Sequence, residues 1–169
     1  MTGVLSVERR RFTVTGVVQG VGFRPFVHGL ATGLGLSGLV GNDAGGVFIE
    51  VEGAPDVVGR FLDGLRTRPP RLAVVERVTV RDLAAAGRDG FVIVGSDASG
   101  ERRALVSSDS ATCDDCLREM RDPADRRHGY AFINCTNCGP RFTIVRDVPY
   151  DRRNTTMAGF AMCGECAAE

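Results

Sequence analysis

From Arg10 to Val18 apolar and polar positions alternate, placing Phe12, Val14, Gly16 and Val18 on one side of an extended chain, and this period of two predicts a strand. At Phe23 the period changes. Phe23, Val27, Leu30 and Leu34 recur every three or four residues, which predicts a helix that tolerates Pro25 only because it falls in the first turn. Two further apolar runs, "LSGLVGN" and "VFIEVE", flank Asp43-Ala44-Gly45-Gly46; in the second, Val47, Ile49 and Val51 alternate with Phe48, Glu50 and Glu52, so a hairpin is predicted. "APDVVGRFLDGLRTRPP" reads as a helix begun near Pro55 and Asp56 that presents Val57 or Val58, Phe61, Leu62 and Leu65 and is stopped by Pro69 and Pro70. "AVVERVTV" and "FVIV" supply two more short strands.

The order βαββαβ with a final strand predicts an α+β, ferredoxin-like sandwich over residues 1–95, two helices covering one face of an antiparallel sheet. Residues 96–112 lie in a stretch rich in Ser, Asp and Gly and read as a linker, with Ala104 to Val106 as an apolar docking patch. Residues 113–162 include too few apolar side chains for a second large core and need another stabiliser.

Composition narrows the function classes. The chain has 169 residues, 43% of them apolar, which is enough for one domain or two small ones. Its 21 basic residues are all Arg and are balanced by 21 acidic ones, so neither a nucleic-acid footprint nor a polybasic membrane anchor is expected. The first residues do not have the pattern of a secretory signal, no window is apolar enough to span a bilayer, and a cytoplasmic location is expected.

Two stretches carry chemistry. In "GVVQGVGFRPFV" the glycines at 20 and 22 permit backbone conformations closed to other residues, and a loop leading into a helix aims several N–H groups at one concavity. Arg24 would add a planar, permanent charge suited to phosphate oxygens; a strand-to-helix turn with a surface Arg is the competing account. Asn42, at the end of a strand before "DAGG", is either a site residue or the start of an Asx turn. The second stretch holds Cys113-x2-Cys116, 18 intervening residues, then Cys135-x2-Cys138, spacing that brings four thiolates around one structural Zn²⁺. Cys163 and Cys166 come next as an incomplete half of a second such site, over residues 163–169, which suggests a piece of a longer polypeptide. His28 is expected to pack in the first helix, and His128 to lie in a surface turn.

"VTGVVQGVGFRPFV" with "GLVGNDAGGVFIEVEG" resembles the acylphosphatase signature over roughly residues 8–95. That resemblance implies that Arg24 and the amides of Gln19, Gly20, Val21, Gly22 and Phe23 bind phosphoryl oxygens, that Asn42 positions the attacking water, and that the reaction is hydrolysis of a carboxylic–phosphoric anhydride. Continued through "DPADRR", "NCTNCGPRFTI" and "PYDR", the chain resembles the amino-terminal portion of the hydrogenase-maturation carbamoyltransferase family. The substrate so implied is carbamoyl phosphate. ATP and Mg²⁺ would belong to downstream domains of the same polypeptide, and the final acceptor would be a maturation partner with a carboxy-terminal cysteine, on the route to the cyanide ligands of a nickel–iron hydrogenase. A carbamoyl-phosphate binding or docking module without catalysis, and a zinc ribbon for nucleic acid, are the other function classes, separated by phosphate release and by salt-dependent binding to DNA or RNA.

Overall fold

The computed structural model describes residues 6–97, 105–107 and 109–168. Alternation in the first stretch produces β1 (Glu8–Val17), and the glycine loop then leads into α1 (Phe23–Gly33). β2 (Ser37–Asp43) and β3 (Gly46–Gly53) form the hairpin, α2 (Pro55–Thr67) comes next with Pro55 in its first turn, and β4 (Val74–Leu83) and β5 (Phe91–Ile93) complete the sheet. The strand order is β4-β1-β3-β2-β5. All neighbours are antiparallel except β2 and β5, which run parallel. This is the α+β sandwich expected.

One face of the sheet makes the core. Phe12 and Val14 of β1, Val40 of β2 and Val47, Ile49 and Val51 of β3 are buried with Phe23, Val27 and Ala31 of α1 and Val58, Phe61 and Leu65 of α2. Phe12 and Phe61 meet as a tilted ring pair 5.7 Å apart, joining sheet to helix. The helical period anticipated Phe23 and Val27, but the innermost position in the last turn is Ala31; Leu30 and Leu34 pack only at the margin, Leu34 because it lies past the helix end as its cap. Val58, not Val57, faces inward on α2. On the opposite face Arg9 and Arg11 share Glu50, and the Arg11 guanidinium lies 5.0 Å from the Phe48 ring centroid.

Beyond residue 105 regular structure is sparse. α3 (Asp114–Arg121) opens directly after Cys113 with Asp114 and Asp115 in its first turn, where negative charge suits the helix dipole. Short 3₁₀ turns occur at Phe142–Ile144, Arg152–Asn154 and Thr156–Gly159, and α4 (Gly164–Ala168) is a single short helix. The buried cluster here is small: Cys116, Ile133 and Cys138, flanked by Cys113, Met120 and Cys135. Of the predicted docking trio, Ala104 lies outside the described residues, Leu105 is exposed and Val106 partly buried.

One side chain joins the parts. Gln19, 1% exposed and two residues past β1, donates from Nε2 to the carbonyls of Asp43 (2.9 Å) and Gly46 (2.8 Å), across the β2–β3 turn. Its Oε1 accepts from the backbone N–H of Tyr150 (2.9 Å), 131 positions further along the chain. Gln19→Leu preserves bulk but orphans two carbonyls and an amide, and should lower the free energy of unfolding by about 2–4 kcal/mol. A denaturant midpoint equal to that of the parent, at unchanged slope, would overturn this account.

Candidate active site and metal centre

Gly20 (φ 72°) and Gly22 (φ 76°) both adopt left-handed backbone conformations, and Gly22 is the residue that starts α1. The groups that come close to them are protein. A Cβ on Gly20 would lie 3.0 Å from Tyr150 Cδ1 and 3.1 Å from Pro140 Cβ, and one on Gly22 would lie 2.9 Å from Thr136 Cβ. The glycines therefore let the cysteine-containing half of the chain close over the loop, a role that loop chemistry alone does not reveal. Between the two halves runs a cleft of ≈ 380 Å³. Gly20, Gly22, Phe23 and Arg24 form one wall, and Asn134, Cys135, Thr136, Tyr150, Asp151 and Arg152 the other. Gln19 and Val21, expected with the loop, are buried and do not line it.

Arg24 stands in the first turn of α1, which contains no acidic residue, so the positive end of the helix is not offset from within. Its guanidinium is held loosely, with Nη1 3.4 Å from Ser96 Oγ and Nη2 3.6 Å from Asp151 Oδ1. Ser96 sits at the head of the stretch read as a linker, and the chain there continues along β2: Val94 N–H donates to Val40 O and Asp97 N–H to Asn42 O, each at 2.8 Å.

Asn42 is not the residue that makes the turn. The Asx turn belongs to its neighbour, since Asp43 Oδ1 accepts from the N–H groups of Gly45 (2.8 Å) and Gly46 (2.9 Å). Nor does Asn42 stand across an open cleft. It is 0% exposed, and both Oδ1 and Nδ2 are buried with no hydrogen-bond partner among the described residues. A buried unpaired amide is costly, and such costs collect at functional positions. Ser96, Thr136, Tyr150 and Asp151 were missed as site residues; the motifs around Thr136 and Asp151 were visible, but nothing local says that they fold onto residue 20.

Cys113, Cys116, Cys135 and Cys138 converge, with all four Sγ atoms within 4.8 Å of one another. Cys113–Cys135 is 3.6 Å, and Cys116–Cys138 and Cys135–Cys138 are each 3.9 Å. A tetrahedron of Zn–S bonds about 2.3 Å long has sulfur–sulfur edges of about 3.8 Å, so the donor set fits. Burial pushes the Cys116 thiol well above its ordinary range. Burial also works against the Cys138 thiolate, but backbone hydrogen bonds and Arg141 outweigh it and bring Cys138 down to about 6. Arg141 Nη2 lies 3.2 Å from Cys138 Sγ and donates to Ile133 O at 2.9 Å, so one side chain braces the thiolate and its loop. Cys163 is exposed, and with Cys166 and His128 it borders a second cavity of ≈ 530 Å³; the pair belongs to no group of three or more metal donors among the described residues. His28 packs edge-on against Phe91, 6.0 Å between centroids.

A ferredoxin-like sheet with an arginine-bearing glycine loop, closed over by a four-cysteine module, defines a class: an acylphosphatase-type domain carrying a finger. The acylphosphatase family matches residues 10–93, and the HypF finger family matches residues 112–145. An acylphosphatase of Thermotoga petrophila is 43% identical over 84 residues, covering 49% of this chain and 92% of that protein. The carbamoyltransferase HypF of Rhodobacter capsulatus is 53% identical over 162 residues, covering 94% of this chain and 21% of that protein. A crystal structure of full-length HypF in its phosphate- and nucleotide-bound form superposes with a TM-score of 0.87 at 45% identity, over 99% of this chain and 22% of that one. The chain belongs to the acylphosphatase family, and over nearly its whole length it is similar to the amino-terminal acylphosphatase-like and finger region of HypF carbamoyltransferases. It spans about a fifth of the length of the carbamoyltransferases it matches.

Cys135→Ser removes one of four soft ligands and should abolish stoichiometric metal binding, read by a chromophoric chelator, while the amino-terminal sheet stays folded. Protons compete with the metal for thiolates, so affinity should fall as pH drops. Arg141→Ala, by raising the Cys138 pKa, should move release to higher pH; release at the parental pH would show that Arg141 does not tune the site.

Proposed function

We propose that this region hydrolyses carbamoyl phosphate, with Arg24 and Asn42 as its catalytic residues. The observation that carries the reading is a permanent cation in the first turn of α1, beside left-handed glycines, with the buried and unpaired amide of Asn42 on the strand end clamped to the same loop by Gln19. Phosphate bound to the HypF relative of known structure supports it. Backbone amides of the loop at Gly20, Gly22 and Phe23 and the Arg24 guanidinium bind the phosphoryl oxygens and stabilise charge as it redistributes in the transition state. Asn42 orients a water, its Oδ1 accepting a hydrogen bond from one water O–H. The water oxygen forms the new bond to phosphorus as the bond from phosphorus to the carbamoyl oxygen breaks, giving carbamate and inorganic phosphate, with the water proton passing to phosphate. The leaving group is good, so placement and charge suffice without a covalent nucleophile.

Zn²⁺ is the metal we assign to Cys113, Cys116, Cys135 and Cys138. Four thiolates complete its shell, so its part is structural: it holds the loop bearing Asn134 and Thr136 against the glycine loop. Functionally the chain divides into a hydrolase unit, 1–95, a connecting stretch, 96–112, a first finger, 113–162, and the opening of a second, 163–169. In the larger carbamoyltransferase the carbamate would pass to an ATP- and Mg²⁺-dependent domain and, as a carbamoyl group, to a carboxy-terminal cysteine of a hydrogenase-maturation partner. A cytoplasmic setting suits reduced thiolates.

Arg24→Ala should lower kcat/KM for carbamoyl phosphate about 10²–10³-fold. Asn42→Ala should lower kcat more than phosphate affinity, and because the lost amide is unpaired, the unfolding free energy should stay within about 1 kcal/mol of the parent. Full catalytic efficiency in both variants would place the chemistry elsewhere. A parent that binds carbamoyl phosphate through Arg24 without releasing phosphate would establish the docking-module reading instead.

A further inference from the structure

A phosphate-binding loop reads one end of an acyl phosphate and is indifferent to the other. Resting on the hydrolase reading above, we infer that Asp151, contributed by the cysteine-containing half, is the specificity determinant for the acyl end, accepting hydrogen bonds from the carbamoyl amide and so favouring carbamoyl over acetyl phosphate.

The placement comes from the cleft. With the phosphoryl group at Gly20 to Arg24, the space over Gly20 is occupied by Tyr150 and Pro140 and that over Gly22 by Thr136, so the rest of the substrate extends toward the wall of Asn134, Asp151 and Arg152. A carbamoyl group differs from an acetyl group in presenting two N–H donors where the other has a methyl, and only an acceptor tells them apart. Arg152 is donor-only and already gives Nη2 to Phe160 O at 2.6 Å. The Tyr150 hydroxyl faces the Arg141 N–H at 3.4 Å. Asn134 directs its Nδ2 to Phe132 O at 3.2 Å, and the acceptor it retains is a single neutral oxygen. Asp151 is acceptor-only, and its charged neighbours are not close: Oδ1 is 3.6 Å from Arg24 Nη2 and Oδ2 is 3.9 Å from Arg153 Nη2. Those separations leave lone pairs for an amide, while two guanidiniums offset the charge of a carboxylate set beside a phosphoryl group.

The segment is also held in place. Gln19 binds Tyr150 N–H, and Arg153 Nη2 donates to Ser96 O at 3.1 Å, so the chain on either side of Asp151 is tied to the hydrolase half. A site built to hydrogen-bond a substrate N–H discriminates strongly against an analogue without it, because its polar group is then left dry and unpaired.

The test measures kcat/KM for carbamoyl phosphate and acetyl phosphate, corrected for spontaneous breakdown, in the zinc-loaded 169-residue chain and in Asp151→Ala, Asp151→Asn and Arg24→Ala. We expect the parent to prefer carbamoyl phosphate, and Asp151→Ala to reduce that preference about tenfold or more by losing activity on carbamoyl phosphate alone. Asp151→Asn keeps an acceptor oxygen and should retain most of the preference, whereas Arg24→Ala should depress both substrates and leave their ratio unchanged. Equal losses on both substrates in Asp151→Ala would make Asp151 a tether for Arg24 and overturn the inference with the hydrolase reading intact. A parent inactive on both substrates would overturn the hydrolase reading and this one with it.

Discussion

The buried amide of Gln19 is the interaction on which the arrangement depends. A side chain with two donors and an acceptor can satisfy three backbone groups from remote segments, and here it ties the end of β1 to the β2–β3 turn and to the stretch at Tyr150. Because the groups are removed from water, each pairing is worth most when all are made. The glycine loop, the strand end bearing Asn42 and the far wall of the cleft are thereby held in one register, although they come from opposite ends of the chain.

This explains how a small module with little core serves a neighbouring site. The apolar cluster around Cys116, Ile133 and Cys138 is small for ordering the loops of 109–168 by burial alone, whereas a metal ion held by the four cysteines, whose sulfurs lie at tetrahedral edge distances, would supply folding free energy that burial does not. The ligand Cys135 lies between Asn134 and Thr136, both in the cleft wall, so metal geometry passes directly into cleft geometry. Arg141 links the two as well: its side chain reaches Cys138 Sγ, and its backbone N–H faces the Tyr150 hydroxyl over the glycine loop.

The proposed chemistry suits this construction. Acyl-phosphate cleavage asks for fixed donors and a placed water, and fixed donors need a scaffold that does not relax when charge moves. The loop carries helix amides and Arg24; the strand end carries the buried amide of Asn42, which has no hydrogen-bond partner among the described residues. Neither element can hold itself in position, since a two-glycine loop is intrinsically loose. The packing of Tyr150, Pro140 and Thr136 on Gly20 and Gly22 supplies that rigidity from outside the sheet.

Much of this was legible along the chain, for physical reasons that are local. A period of two in β1 and of three to four in α1 and α2 comes from backbone geometry, the hairpin from glycine-rich turn chemistry, and the four ligands from paired Cys spacing. Arg24 and Asn42 were marked by their motif. Other features were set only by contacts between distant residues. Ala31 rather than Leu30 faces the core, because the sheet decides which side of α1 is innermost. Asn42 is buried where residues 94–97 run alongside β2, and Asp43 rather than Asn42 makes the turn. Tyr150 and Asp151 border the glycine loop because one glutamine amide reaches across 131 positions. Periodicity and ligand spacing are short-range constraints carried by a few neighbouring residues; which surfaces meet is decided by burial and hydrogen bonding between segments whose separation along the chain carries no local mark.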